Sequence, residues 1–128
     1  MDNLDNKRLP AKSFEDLIVW QKAHEAVLFV YKLTKKFPSD EKFGLSSQFR
    51  RATISIAANI SEGFAKKTSP EKIRYLNISQ GSLEECKYFV ILSRDLGYGS
   101  DKYLDELFIE IGKMLNGYIS KLKINSNS

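Results

Sequence analysis

The stretch Gly44–Phe64, GLSSQFRRATISIAANISEGF, decides the fold. Leu45, Phe49, Ala52, Ile56 and Ile60 recur every three or four residues along it. That spacing puts them on one apolar stripe of a helix. Arg51, Ser55, Asn59 and Glu62 recur at i, i+4, i+8 and i+11 and make a second, polar stripe. Side chains three and four residues apart share a helix face, so both stripes follow from one conformation. The apolar stripe calls for a core. The polar row calls for a hydrogen-bonded seam, either inside a bundle or against another subunit.

Working outward, the flanking segments carry the same period. Residues 1–12 are polar, with Pro10 near their end, and read as a flexible arm. Ser13 is a candidate N-cap, with Asp16 three residues on as a capping-box variant. A first helix is predicted over about residues 14–37, with Leu17, Trp20, Ala23, Val27, Val30 or Tyr31, and Thr34 on its stripe. Pro38 ends it, because proline lacks the amide and restricts the residue before it. Ser39–Glu41 can form a turn of their own before the second helix, predicted over 42–63. Gly63 is a candidate C-cap glycine, with continuation of the helix through Phe64 and Ala65 as the alternative.

Thr68 or Ser69 then caps a third helix over about 70–96, with Pro70 in its first turn and Glu71 beside it. Leu76, Leu83, Cys86 and Val90 form one stripe, and Ile78, Ser82, Glu85, Phe89 and Leu92 a neighbouring one. Gly81 inside this helix costs about 1 kcal/mol against alanine, which points to close packing on another backbone. Gly97, Tyr98 and Gly99 make a turn. Ser100, helped by Asp101, is the candidate cap of a fourth helix over 101–123, with stripe Leu104, Leu107 or Phe108, Ile111, Leu115, Tyr118 and Leu122. Residues 125–128 read as a flexible tail. Four helices with three short links predict an all-α, antiparallel up-down-up-down four-helix bundle over residues 13–124.

Composition narrows the function. The chain has 128 residues, 42% hydrophobic and 28% charged, which fits one globular domain and excludes disorder. Its one cysteine, Cys86, excludes an intrachain disulfide framework and fits a reducing compartment. No apolar run approaches the roughly 20 residues that span a bilayer, and the N-terminus lacks the apolar core of a signal peptide, so a cytoplasmic, non-membrane protein is expected. His24 and Cys86 are too few soft ligands for a zinc site, and no Glu-x-x-His repeat is present, so no metal or other cofactor is expected. No nucleophile elbow, phosphate-binding glycine loop or dinucleotide fingerprint occurs, and no catalytic residue is assigned.

Two candidate surfaces remain. In an antiparallel bundle Arg51, Ser55, Asn59 and Glu62 meet Ser82 and Glu85 of the third helix, with Arg51 positioned to pair with Glu85. Such a seam fixes helix register, since unpaired buried polar groups are costly. The second surface is basic. Lys66, Lys67, Lys72 and Arg74 gather at the turn between the second and third helices, with Arg50 as a further cation and Tyr75 as a ring for base stacking. A net charge of +4 permits RNA or DNA binding there, driven by charge and shape. A solvated charged end explains the same residues with no partner. Aromatic residues, Trp20, Phe43, Tyr88 and Tyr103 among them, exceed what a slim core needs and favour a protein interface.

The pattern Phe14-Glu15-Asp16-Leu17-x-x-Trp20-x-x-Ala23 resembles the opening of the four-helix-bundle proteins encoded in intervening sequences of bacterial 23S ribosomal RNA genes. Arg51-Ala52-x-x-Ser55-Ile56-x-x-Asn59-Ile60-x-Glu62-Gly63 and Gly81-Ser82-x-x-Glu85 carry the same resemblance, over about residues 14–120. It implies an up-down bundle assembled as a ring-shaped homopentamer. It also implies similarity to the accessory protein of diversity-generating retroelements, a basic pentameric ring thought to bind nucleic acid and a reverse transcriptase. By the same resemblance Arg51, Ser55, Asn59, Glu62, Gly63 and Glu85 are architectural and not catalytic.

Overall fold

The computed structural model describes residues 9–126, and the first eight residues of the expected arm and the last two of the expected tail lie outside them. The helices are α1 (Ile18–Thr34), α2 (Leu45–Ala65), α3 (Ser69–Asp95) and α4 (Lys102–Ser126). They form the expected all-α, antiparallel four-helix bundle. Each helix packs on its two neighbours in the order α1, α2, α3, α4 and back to α1.

The boundaries follow from local chemistry. Phe14–Asp16 form a separate 3-10 turn and not the first turn of α1, because Leu17 is extended. Ser13 caps that turn, its hydroxyl accepting from the Glu15 amide, while the Asp16 carboxylate accepts from the amides of Ser13 and Lys12. Those bonds hold the Asp16 carboxyl below its ordinary range. Ser39–Glu41 form a second 3-10 turn. Thr68 caps α3, accepting from the Glu71 amide at 3.3 Å, with Pro70 in the first turn. Asp101, and not Ser100, caps α4, its Oδ1 accepting from the Leu104 amide at 2.9 Å.

The end of α3 shows why Gly97 is needed. The Tyr98 amide donates to the Ser93 carbonyl and the Gly97 amide to the Arg94 carbonyl. This pairing closes the helix only if Gly97 is left-handed, and its φ is +75°. Tyr98 then packs its ring on Phe37 at 5.4 Å, and its hydroxyl donates to Glu41 Oε2 at 2.8 Å. Glu41 Oε1 accepts from the Leu45 amide that opens α2. One carboxylate thus joins the α1–α2 link to the α3–α4 turn.

All five residues of the α2 apolar stripe are buried, around Phe49 and Ile56 at 0% exposure. The core face of α1 is Val19, Ala23, Ala26, Val30 and Thr34. It is turned from the expected stripe because Trp20 packs edge-on against Phe14 of the preceding turn. Two buried hydroxyls bond within their own helices, Thr34 donating to the Val30 carbonyl and Thr53 to that of Phe49, while among the described residues the buried Ser93 hydroxyl on α3 has no partner. Ser79 reaches across from α3 to the Ile56 carbonyl of α2 at 2.9 Å.

Two glycines behave differently from the sequence expectation. Gly63 is no C-cap, since α2 runs on to Ala65. It is buried where α2 meets α3, and a Cβ there would lie 3.2 Å from Tyr75 Cβ and 3.3 Å from the Lys72 carbonyl. Gly81 is exposed, and a Cβ there would meet nothing within 4 Å, so among the described residues no backbone packs closely on it.

Candidate interaction surface

The polar row of α2 divides into an inner and an outer part. Ser55 and Asn59 are half-buried and face α3. The Ser82 hydroxyl donates to Ser55 Oγ at 2.8 Å, and the Asn59 amide donates to Ser55 Oγ at 3.0 Å and to the Ser55 carbonyl at 2.9 Å. Arg51, Glu62 and Glu85 are exposed, and among the described residues no ion pair or hydrogen bond joins Arg51 to Glu85. The structure therefore brings Ser55, Asn59 and Ser82 together and leaves the three charges at the rim. The charges sit one step round the helix from the seam, so they aim outward.

Between those charges lies a face that the sequence reading missed in part. Ile54 and Ala58 on α2, and Ile78 and Gly81 on α3, are all exposed. Tyr88 (57%) and Ile91 (46%) are exposed further along α3, Ile91 on the side that meets Phe108 and Ile109 of α4. The only signal in the sequence was the even spread of apolar residues round the whole of α3, which gives it two faces to cover. Beside Ile54 and Ala58, a shallow groove of about 320 Å³ continues towards Trp20 and His24, whose rings stack at 5.1 Å.

The basic residues do not form one patch. Lys72 is used inside the chain, its Nζ donating to the Phe64 carbonyl at 2.7 Å and so capping the end of α2. Lys66 Nζ lies 5.0 Å from the centre of the Tyr75 ring, and the Arg74 guanidinium lies 4.9 Å from it. Lys67 is exposed. Arg50 stands apart, 16 residues before Lys66 and so about 24 Å away along α2. It donates to Thr34 Oγ1 at 2.7 Å and lies over the Tyr31 ring at 4.5 Å, which ties α2 to α1.

The reactive side chains are quiet. Cys86 is fully buried against Thr53, and burial pushes its thiol up to about 12. Among the described residues no three His, Cys, Asp or Glu side chains gather closely enough to hold a metal ion. No described helix is long and apolar enough to cross a membrane.

Residues 15–117 match the family described as 23S rRNA-intervening sequence protein. The chain belongs to that family. A solved relative agrees with the fold, a protein of unknown function from the S23 ribosomal protein family of Bacteroides thetaiotaomicron VPI-5482. It is 27% identical, superposes with a TM-score of 0.71, and the alignment covers 80% of this chain and 96% of that one. A comparison with curated proteins found no match. The bundle, with its α2–α3 seam, is thus an intervening-sequence protein, and the family match spans the row from Arg51 to Glu62 and the Gly81–Glu85 block.

Proposed function

We propose that this intervening-sequence protein is a non-enzymatic subunit of a cytoplasmic homo-oligomer, a pentameric ring, that acts as a scaffold or binding module. The observation that carries the reading is the double face of α3. Leu76, Leu83 and Phe89 fill the bundle core, yet Ile78, Tyr88 and Ile91 stand exposed on the same helix. An exposed apolar surface of this kind, rimmed by charges, marks a protein-binding site. The ring and its subunit number rest on the family resemblance. Light scattering tests the oligomer, and a mass equal to one 14.7 kDa chain at working concentration removes it.

A second reading is charge-driven binding of RNA or DNA at the turn between α2 and α3. The arrangement that favours it is Tyr75 between Lys66 and Arg74. A ring flanked by two cations suits a stacked base and its phosphates. The resemblance to the retroelement accessory protein points the same way. Filter binding across a salt series tests it, with Lys66, Lys67, Lys72 and Arg74 changed together and Tyr75→Ala separately. Retention that falls steeply with salt and is lost in both variants supports the site. Unchanged retention removes it.

A further inference from the structure

The outer face of α2 and α3 carries one pattern of charge and volume twice. On α2, Arg51 and Glu62 stand 11 residues apart, with Ile54 and Ala58 between them. On α3, Arg74 and Glu85 stand 11 residues apart, with Ile78 and Gly81 between them. Three helical turns take about 10.8 residues, so each charge pair lies on one face of its helix. In both helices the cation is nearer the N-terminus. Two such helices complement each other only when they run antiparallel.

Setting α2 of one copy against α3 of another gives a single register. With Arg51 opposite Glu85, Glu62 falls opposite Arg74. The same alignment sets Ala58 opposite Ile78 and Ile54 level with Ser82, one residue from Gly81, so each isoleucine meets a small residue. One register thus pairs both charges and sets Ala58 against Ile78. Within the chain these groups are unused. Among the described residues Arg51, Glu62 and Glu85 make no ion pair, and Arg74 only reaches its neighbour Tyr75. Gly81 weakens its helix, and among the described residues nothing lies within 4 Å of where its Cβ would be. A helix of a second molecule supplies the missing reason.

We propose that a second copy of this chain docks on the outer α2–α3 face, α2 of one copy antiparallel to α3 of its neighbour, with Arg51 paired to Glu85 and Glu62 to Arg74. The proposal deepens the homo-oligomer reading and rests on it. Bundles placed side by side round a cyclic axis all point the same way, and α2 and α3 are antiparallel within each bundle. The α2 helix of one subunit is then antiparallel to the α3 helix of the next, as the charges require.

Sedimentation velocity tests the pairing on the full chain, with R51E and E85R made separately and circular dichroism confirming equal helicity. Each variant alone weakens association about tenfold or more, since like charges then face each other across the contact. An equimolar mixture of the two recovers assembled species larger than either variant forms alone, because alternating copies pair opposite charges, with one like-charged contact left in a ring of five. A pairing internal to one chain cannot be rescued by mixing. G81L provides a second arm, in which assembly is lost while the melting temperature holds or rises. A wild-type protein that sediments as one chain overturns both the oligomer reading and this proposal. An assembled wild type with R51E, E85R and G81L equally assembled overturns this face alone. So does loss of assembly that mixing does not restore. Dependence on Arg51 and Glu62 without Glu85 overturns the register and assigns α2 against α2.

Discussion

Ser82 on α3 donates its hydroxyl proton to Ser55 Oγ on α2 across 2.8 Å, and that same oxygen accepts from the Asn59 amide at 3.0 Å. One half-buried oxygen therefore links two helices and the next turn of its own. Ser55→Ala leaves the Ser82 hydroxyl without its acceptor and the Asn59 amide with the backbone carbonyl alone, and costs about 1–2 kcal/mol. Ser82→Ala removes one bond and costs about 0.5–1 kcal/mol. Urea unfolding of both single variants and the double variant checks this. The cycle should show coupling of about 0.5 kcal/mol or more, and strictly additive costs contradict the link.

The two glycines of the α2–α3 pair predict opposite signs. Gly63→Ala gains about 1 kcal/mol of helix propensity. It also forces a methyl group against Tyr75 Cβ at 3.2 Å and the Lys72 carbonyl at 3.3 Å, and backbone cannot easily retreat. Overpacking costs about 1–3 kcal/mol, so a net loss is expected. Gly81→Ala meets nothing within 4 Å and should raise the stability of the single chain by up to about 1 kcal/mol. Denaturant midpoints under conditions that hold the chain monomeric measure both.

These glycines show which parts of the structure could be read from sequence. Periodicity reports which residues share a face, so the buried run Leu45, Phe49, Ala52, Ile56 and Ile60 was legible. Pro70 and Thr68 marked the start of α3 because a missing amide and a capping hydroxyl act locally. Periodicity does not report the rotation of one helix against another. Arg51 and Glu85 lie at one level, but their rotation points both outward, so the expected pair does not form within the chain. Lys72 reads as a surface cation, and only the three-dimensional turn places it over the Phe64 carbonyl. Gly63 reads as a helix end and Gly81 as a close contact, and distance to the neighbouring helix reverses the two.

Cys86 should be inert in the native protein. Its thiol is fully buried and its proton is held until about pH 12, so almost no thiolate is present at neutral pH. A thiol reagent at pH 8 should label it only as fast as the chain opens, and fully on addition of denaturant. Rapid native labelling contradicts the packed position beside Thr53.

The Glu41–Tyr98 link predicts a dependence on acid. The Leu45 amide, and then the Tyr98 hydroxyl, hold the Glu41 carboxyl below its ordinary value. A lowered acid contributes stability above the ordinary carboxylate range, and that contribution is lost as pH falls through the lowered folded value. Glu41→Gln should therefore melt below wild type at pH 7 and close the gap as pH drops below about 4. The same bond raises the Tyr98 phenol, so its contribution is complete below about pH 10 and lost as pH rises further. A gap between Glu41→Gln and wild type that is constant from pH 7 to strong acid contradicts the link.

Self-association through a surface outside the bundle core is the central claim, and sedimentation equilibrium of the wild-type chain over a dilution series tests it most directly. The expected mass is that of five 14.7 kDa chains, falling on dilution or on reversal of Arg51. A mass of one chain at every concentration contradicts it.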